Sequence, residues 1–240
     1  MVVAAIHQPH YLPYAGLIDK LDQADVMVWL DDAAFSRGGW HNRNRIKTHA
    51  GRHWLTVPVH RVHPHPPQIR HAALPLGGHW QSKHGATIRQ AYARSAHLTA
   101  CAPLLEMLEE QEFTTLGQLN LATTELLAQL LDIRTPCVRS SELGPATATK
   151  TARLIELCQR LGADTYLAGD GSACYLDQDL FEPAGITLRW QGYTSPTYPQ
   201  HHAALGFISD LSVLDLLANT GPAALGHLRT PRALAMQGVN

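Results

Sequence analysis

The chain has 240 residues, 45% of them apolar and 16% charged, which suits a compact fold and argues against a disordered tail. Its formal charge is −1 with histidine neutral, so no global field draws it to nucleic acid or to a membrane surface, and any anion site has to be local. No run approaches the roughly 20 apolar residues of a membrane span, and no basic leader precedes the first apolar run, so the expectation is a cytoplasmic protein without a membrane span or a nucleic-acid partner.

Residues 2–6 read as a buried strand and 14–23 as a short amphipathic helix with Leu17, Ile18 and Leu21 on one face. "DVMVWL" (25–30) is a second strand, ended by Asp31 and Asp32. "HWLTVPV" (53–59) is a third, and "QIRHAAL" (68–74) reads as an edge strand. From His79 to about Leu131 the pattern is helical, with Gly85, Pro103 and Gly117 predicted to break it into three pieces. "PCVRS" (136–140) is a short strand, and 147–162 is a helix opened by threonine and closed by glycine. "TYLAG" (165–169) and "ITLRW" (186–190) are strands, and 211–221 is a last helix, capped by Asp210 or Ser212. Strands alternating with helices predict an α/β fold: a mainly parallel, Rossmann-like sheet with flanking helices and a helical insert. The expected organisation is one domain over 1–240 with a helical subdomain at about 79–131.

Cys101, Cys137, Cys158 and Cys174 form no CxxC pair, so neither a finger-type zinc site nor a disulfide framework is expected, and no metal site is assigned. Most of the histidines at His60, His63, His65, His71, His79 and His84 read as solvated loop residues in a Pro- and Gly-rich region.

In parallel sheets ligands sit outside the carboxyl ends of the strands. That places "HQPHYLP" (7–13), Asp31-Asp32 and Gly169-Asp170-Gly171 on one edge. His7 is the candidate general base, with Asp31 or Asp32 to orient it, and Gln8 and Tyr11 of the same turn are candidate substrate contacts. His7 and His10 could also ligate a metal with an aspartate, the weaker reading, or simply bond the backbone. "FSRGGWHNRNRIKT" (35–48) is the most chemically loaded segment. Guanidinium forks of Arg43 and Arg45 grip phosphate or carboxylate, Lys47 adds charge, and a Trp40 face can stack a base or sugar ring. Alternation sends Asn42 and Asn44 to one side of an extended chain and the arginines to the other. A solvated edge strand whose charges resist aggregation explains the same segment equally well. Gly169 and Gly171 offer backbone N–H groups to an anion. Cys174 reads as a loop contact rather than a nucleophile. Tyr198 and Gln200 lie in a Pro-set loop that contacts substrate or covers the sheet, and Asp215 and Asn219 share one helix face as braces.

Taken together, "IHQPHYLPYAGLIDKLDQADVMVWLDDAAFSRGGWHNRNRIKT", "WLTVPV", "LGADTYLAGDGSACYLDQDLFEPAGI", "YPQ" and "LSVLDLLANTG" resemble the WbqC-like protein family over nearly the whole chain, most loosely at 60–145. The His-Gln-Pro turn at 7–9 and the Asn-Arg-Asn-Arg segment at 42–45 are its shared features. The resemblance implies a bacterial protein connected with O-antigen and other surface sugars, and an activity of glycine or other aminoacyl transfer. It carries over no catalytic residue set, and Cys174 and most of the surplus histidines look peculiar to this chain. A fainter likeness, by fold analogy alone, is to α/β proteins that adenylate their substrates.

Three functions follow as expectations. The first is a cytoplasmic transferase moving an acyl or aminoacyl group, glycyl among them, onto the amine of an amino sugar or related small metabolite. Its small-molecule substrate would be phosphorylated or carrier-protein-bound, held by Arg43 and Arg45, with Asn42 and Asn44 on the acceptor. The second is an ATP-dependent nucleotidyl-transfer or ligase enzyme. The third is a non-catalytic module binding a sugar nucleotide or a carrier protein. No cofactor is named by the sequence, and surface glycan and secondary metabolism are both open as settings.

Overall fold

The computed structural model describes residues 1–60 and 65–237. In chain order the elements are β1 (Val3–His7), α1 (Ala15–Asp22), β2 (Val26–Trp29), β3 (Arg43–Thr48), β4 (Gly51–Thr56), α2 (His79–Tyr92), α3 (Ala102–Glu110), α4 (Leu116–Leu130) and β5 (Cys137–Arg139). There follow α5 (Lys150–Arg160), β6 (Thr165–Ala168), β7 (Thr187–Trp190), α6 (Val213–Thr220) and α7 (Ala224–Gln237). They form two compact units: Met1–Gln8 with Asp19–Ala33 and Arg134–Tyr193, and Pro9–Ile18 with Ala34–Ile133 and Thr194–Asn240.

The first unit holds a five-stranded sheet in the order β5-β2-β1-β6-β7, every pair parallel. The chain starts at the centre, moves out through β2 to β5, then returns to the other side of β1 for β6 and β7. The order therefore reverses between β1 and β6, the switch point at which such sheets open a crevice. Strand alternation sends Ala4, Ile6, Val28, Tyr166 and Ala168 into one apolar layer, where they pack with Ile155, Leu157 and Cys158 of α5 and with Phe181. Ala5, Met27 and Leu167, of the opposite parity, are equally shielded from water. A strand buried on both faces explains why these runs are continuously apolar.

The second unit carries the β3–β4 hairpin, antiparallel from Arg43↔Thr56 to Thr48↔Gly51, together with α2, α3, α4, α6 and α7. Helix α4 opens on a capping box: Thr115 Oγ1 accepts from the Gln118 amide at 3.3 Å, and Gln118 Oε1 accepts from the Thr115 amide at 3.3 Å. Ser212 rather than Asp210 caps α6, its hydroxyl accepting from the Leu214 amide.

Several local expectations are corrected. Gly85 does not break the helix, because it lies inside α2, where an added Cβ would come within 3.1 Å of Glu109 Oε1 on α3. The gap falls instead at 93–101, and Pro103 and Gly117 stand in the first turns of α3 and α4, where both are tolerated. Residues 68–74 are not a strand: Ile69–His71 form a 3-10 turn, with isolated bridges at Gln68 and Ala73. Thr147 does not start α5; its hydroxyl donates to Glu156, and the helix begins at Lys150. His84 is buried on α2 rather than solvated, whereas His60, His65, His71 and His79 are exposed and His63 lies outside the described residues. The chain also carries α7, which the periodicity missed.

Gly117 shows how closely the second unit is packed. A Cβ there would stand 2.7 Å from Arg70 Cα and 3.2 Å from its nitrogen, both backbone atoms that cannot turn aside. Gly117→Ala is therefore expected to destabilise by about 1–3 kcal/mol, the usual scale of overpacking. Gly226→Ala, in α7 with nothing within 4 Å of the new methyl, should instead gain up to about 1 kcal/mol of helix propensity. Urea midpoints of the two variants check the contrast. Equal shifts would remove the steric account.

Candidate functional site

The carboxyl edge of the sheet gathers the polar residues that follow its strands: His7 and Gln8 after β1, Asp31 and Asp32 after β2, Ser140 and Ser141 after β5, Gly169 and Asp170 after β6, and Gln191 after β7. Two aspartates tie neighbouring strand ends. Asp31 accepts from Ser140 Oγ at 3.1 Å, from the Ser141 amide at 3.1 Å and from Ser141 Oγ at 2.7 Å, bridging β2 to β5. Asp32 shares the Ser140 hydroxyl and pairs with Arg153 of α5 at 3.3 Å. On the other side, Asp170 accepts from the Gly192 and Tyr193 amides at 3.0 and 2.9 Å, bridging β6 to β7. His7 is half-buried, and its Nδ1 lies 2.8 Å from the Gln8 carbonyl. A carbonyl only accepts, so Nδ1 carries the proton and Nε2 is the basic nitrogen of the neutral ring.

Between β1 and β6 the tie is a lysine. The strands pair only from Val3↔Thr165 to Ala5↔Leu167. The His7 carbonyl turns to β2, where it accepts from the Leu30 amide, so the Ile6 carbonyl turns towards β6. There it accepts from Lys20 Nζ at 2.9 Å. Lys20 is 2% exposed and its ammonium lies over the Tyr166 ring, 5.7 Å from the centroid. Burial lowers its pKa from 10.5 to about 7, with the Asp170 carboxylate opposing the shift. Beside it Asp19, also buried, accepts from Gln191 Nε2 at 2.8 Å and Gln23 Nε2 at 2.7 Å.

In the second unit the Asn-Arg-Asn-Arg segment divides by strand parity. Asn44 points inward, donating to the Leu12 carbonyl at 2.7 Å and the Tyr11 carbonyl at 3.3 Å. Asn42, just ahead of β3, donates to the Val57 carbonyl at 2.9 Å and accepts from the Gly38 amide. Both amides are internal latches. Arg43 and Arg45 lie on the outer face with Trp54, which pairs with Arg45 across the hairpin. The Arg43 guanidinium sits over the Trp54 ring at 4.2 Å, and that of Arg45 lies 5.3 Å from Trp54 and 5.1 Å from Trp40. Arg45 also donates to the Asp210 backbone carbonyl at 3.0 Å. Among the described residues neither arginine forms an ion pair with a carboxylate. Burial, and then the charge of Arg52, hold Arg45 below the usual guanidinium range, with Asp210 opposing.

Most of the remaining candidates are buried or half-buried. Lys47 is fully buried, donating to the Gly206 carbonyl at 2.7 Å and to Gln200 Oε1 at 3.1 Å. Gln200 and Tyr198 both donate to Asp215 Oδ2 at 2.8 Å, and Tyr92 donates to Oδ1 at 2.9 Å. Burial raises the Asp215 pKa, and the two tyrosine hydroxyls pull it back. Asn219 completes the cluster, accepting from the His201 amide at 2.8 Å. Tyr11 is fully buried with its hydroxyl 2.8 Å from Nδ1 of His84, whose pKa burial lowers to about 4. Gly171 and Cys174 are exposed beyond β6. Among the described residues no group of three His, Cys, Asp or Glu side chains is placed to hold a metal ion, and no helix is long and apolar enough to cross a membrane.

The sequence model of the WbqC-like protein family matches residues 8–227. The chain belongs to that family. An uncharacterized protein of Mycobacterium tuberculosis, Rv1507c, is 32% identical to it over 231 residues, which cover 95% of this chain and 98% of the relative. No solved structure gives a significant match. In this WbqC-like protein the latching asparagines and the outward arginines both fall within the matched region. Sequence reasoning missed Lys20 and Trp54. Lys20 sits on the polar stripe of an amphipathic helix, and Trp54 stands among apolar strand residues, so each reads as the opposite of what it is.

The Lys20 site yields a signed pH dependence. Between about 7 and 10.5 the unfolded chain holds a proton on Lys20 that the native chain lacks, so this residue's contribution to stability rises with pH across that window. Lys20→Met removes the titration. The wild type should therefore gain stability relative to the variant between roughly pH 7 and roughly pH 9.5, as read by urea denaturation. A pH-independent difference would show that the amine keeps its ordinary pKa.

Proposed function

We propose that this WbqC-like protein is a transferase that moves an acyl or aminoacyl group, glycyl among them, onto the amine of an amino sugar or a related small metabolite. One substrate is phosphorylated or carrier-bound. The observation that supports this best is the outer face of β3. Two guanidiniums lie close to one indole and, among the described residues, neither forms an ion pair with a carboxylate, so an incoming phosphate would take up donors of both.

Acyl transfer to an amine begins with loss of a proton from the acceptor's ammonium. The freed lone pair attacks the acyl carbon, a C–N bond forms, and the tetrahedral oxyanion collapses as the donor's leaving group departs with its electron pair. In this reading His7 takes the ammonium proton at Nε2, its ring held by the Nδ1–H bond to the Gln8 carbonyl. Asp31 and Asp32 act through the strand ends they brace rather than as orienters of the base, since their oxygens hold Ser140, Ser141 and Arg153. Asn42 and Asn44 shape the hairpin instead of touching the acceptor. A surface-glycan setting, O-antigen assembly included, fits an amino-sugar acceptor. A second reading, ATP-dependent nucleotidyl transfer, draws support from the sheet order, whose switch point is a common nucleotide crevice. Release of pyrophosphate from ATP would favour it over the first.

Calorimetry with inorganic pyrophosphate tests the anion site. Arg43→Lys and Arg45→Lys should each weaken binding by about tenfold, because lysine keeps the charge but loses the bidentate fork. Unchanged affinity in both variants would reduce these arginines to a charged strand edge. His7→Asn should keep the fold and pyrophosphate binding while lowering glycyl transfer to an amino sugar by about 10²-fold or more. A fully active His7→Asn protein would remove His7 from the chemistry.

A further inference from the structure

The hairpin face carries more than charge. Trp40 and Trp54 are 37% and 39% exposed, high for the largest apolar side chains, and their ring centroids lie 5.6 Å apart. Tyr14 continues the row, 6.4 Å from Trp40. The guanidiniums of Arg43 and Arg45 lie on these rings, and the Nε atoms of both are shielded from water without a hydrogen-bond partner. Arg52, two residues before Trp54 on β4, adds a third positive charge near Arg45. A bare phosphate would use the cations and leave the indoles in water. An apolar protein partner would use the indoles and bury uncompensated guanidiniums. A ligand that joins a flat ring to two or more negative charges satisfies both sets of groups at once.

We propose that the outer face of the β3–β4 hairpin is a subsite for a nucleoside diphosphate, its base stacked on Trp54 with the tilted Trp40 ring beside it and its diphosphate held by Arg43 and Arg45. This rests on the proposed reading of those arginines as an anion site and names the class of ligand they take. Stacking on an aromatic face is tolerant of base identity, since every base has a π-face, so purine and pyrimidine diphosphates should both bind. Trp54 is then a binding residue in its own right, and the inward turn of Asn44 is what presents its neighbours Arg43 and Arg45 to the ligand.

The test titrates the full chain with ADP, UDP, inorganic pyrophosphate, adenosine and glucose 1-phosphate, followed by calorimetry and by tryptophan fluorescence. ADP and UDP should bind about tenfold or more tighter than pyrophosphate, the scale of one stacked base, and should quench the fluorescence. Trp54→Leu should lower ADP and UDP affinity about tenfold more than it lowers pyrophosphate affinity, the difference being the lost stack, and Trp54→Phe, which keeps a ring, should restore most of that difference. Nucleoside diphosphates no tighter than pyrophosphate, with Trp54→Leu silent, would overturn the base subsite and leave the anion site standing. Equal quenching and affinity with glucose 1-phosphate would assign the rings to a sugar and also overturn it. No binding of pyrophosphate or of either diphosphate would remove the anion site itself.

Discussion

The second unit depends on one side-chain amide. The loop from Pro9 to Pro13 is buried, and the carbonyls of Pro9, Tyr11, Leu12 and Pro13 find their donors outside this short segment. Asn44 supplies Tyr11 and Leu12, Asn120 supplies Pro9 and at the same time His41, and the Val213 amide supplies Pro13. The bonds hold Leu12 at φ 42°, a left-handed conformation that costs a non-glycine residue about 1–2 kcal/mol and persists only when its surroundings enforce it. Asn44 Oδ1 in turn accepts from the Arg45 amide at 2.8 Å, so the latch reaches back into its own strand. Once Asn44 points inward, strand parity leaves Arg43 and Arg45 no choice but the outer face. The conformation of the loop and the presentation of the arginines are two results of the same orientation.

Lys47 shares the parity of Arg43 and Arg45 yet is buried, because residues 200–206 close over it and provide acceptors for its ammonium. The network around Asp215 is fully engaged, with both tyrosines, Gln200 and the backbone of α6 drawn together. A low-dielectric interior makes such a cluster rigid when every member is satisfied and expensive when one is lost. Tyr198 and Gln200 of this network read equally as substrate contacts or as a cover, because polar side chains in a Pro-set loop carry no mark of which way they turn.

Much of the fold was legible. Apolar runs ending in polar turns marked the strands, and their alternation with helices marked a parallel sheet, since a crossover connection, most often a helix, lets consecutive strands run the same way. Alternation also foretold the separation of asparagines from arginines. Other features were hidden for physical reasons. Gly85 is a breaker by propensity, but it lies inside α2 beneath the Arg89–Glu109 ion pair, whose side chains occupy the space next to it. Helix α7 was concealed by Gly221-Pro222 before it and Pro231 within it. The buried state of Lys20 depends on where β1 and β6 part, a long-range event that no local pattern around residue 20 can encode.

The order of the sheet also sets when the first unit can come into being during synthesis. Its central strand leaves the ribosome well before the neighbour that pairs with it on one side: Val2 and Asp164, bonded beside that junction, are 162 residues apart. Loop closure over that span has to be met before any pairing rewards it, which makes assembly slow and leaves an apolar strand waiting with an unpaired edge. A nascent chain stopped before β6 therefore leaves one edge of Val3–His7 unpaired, an open template for another strand.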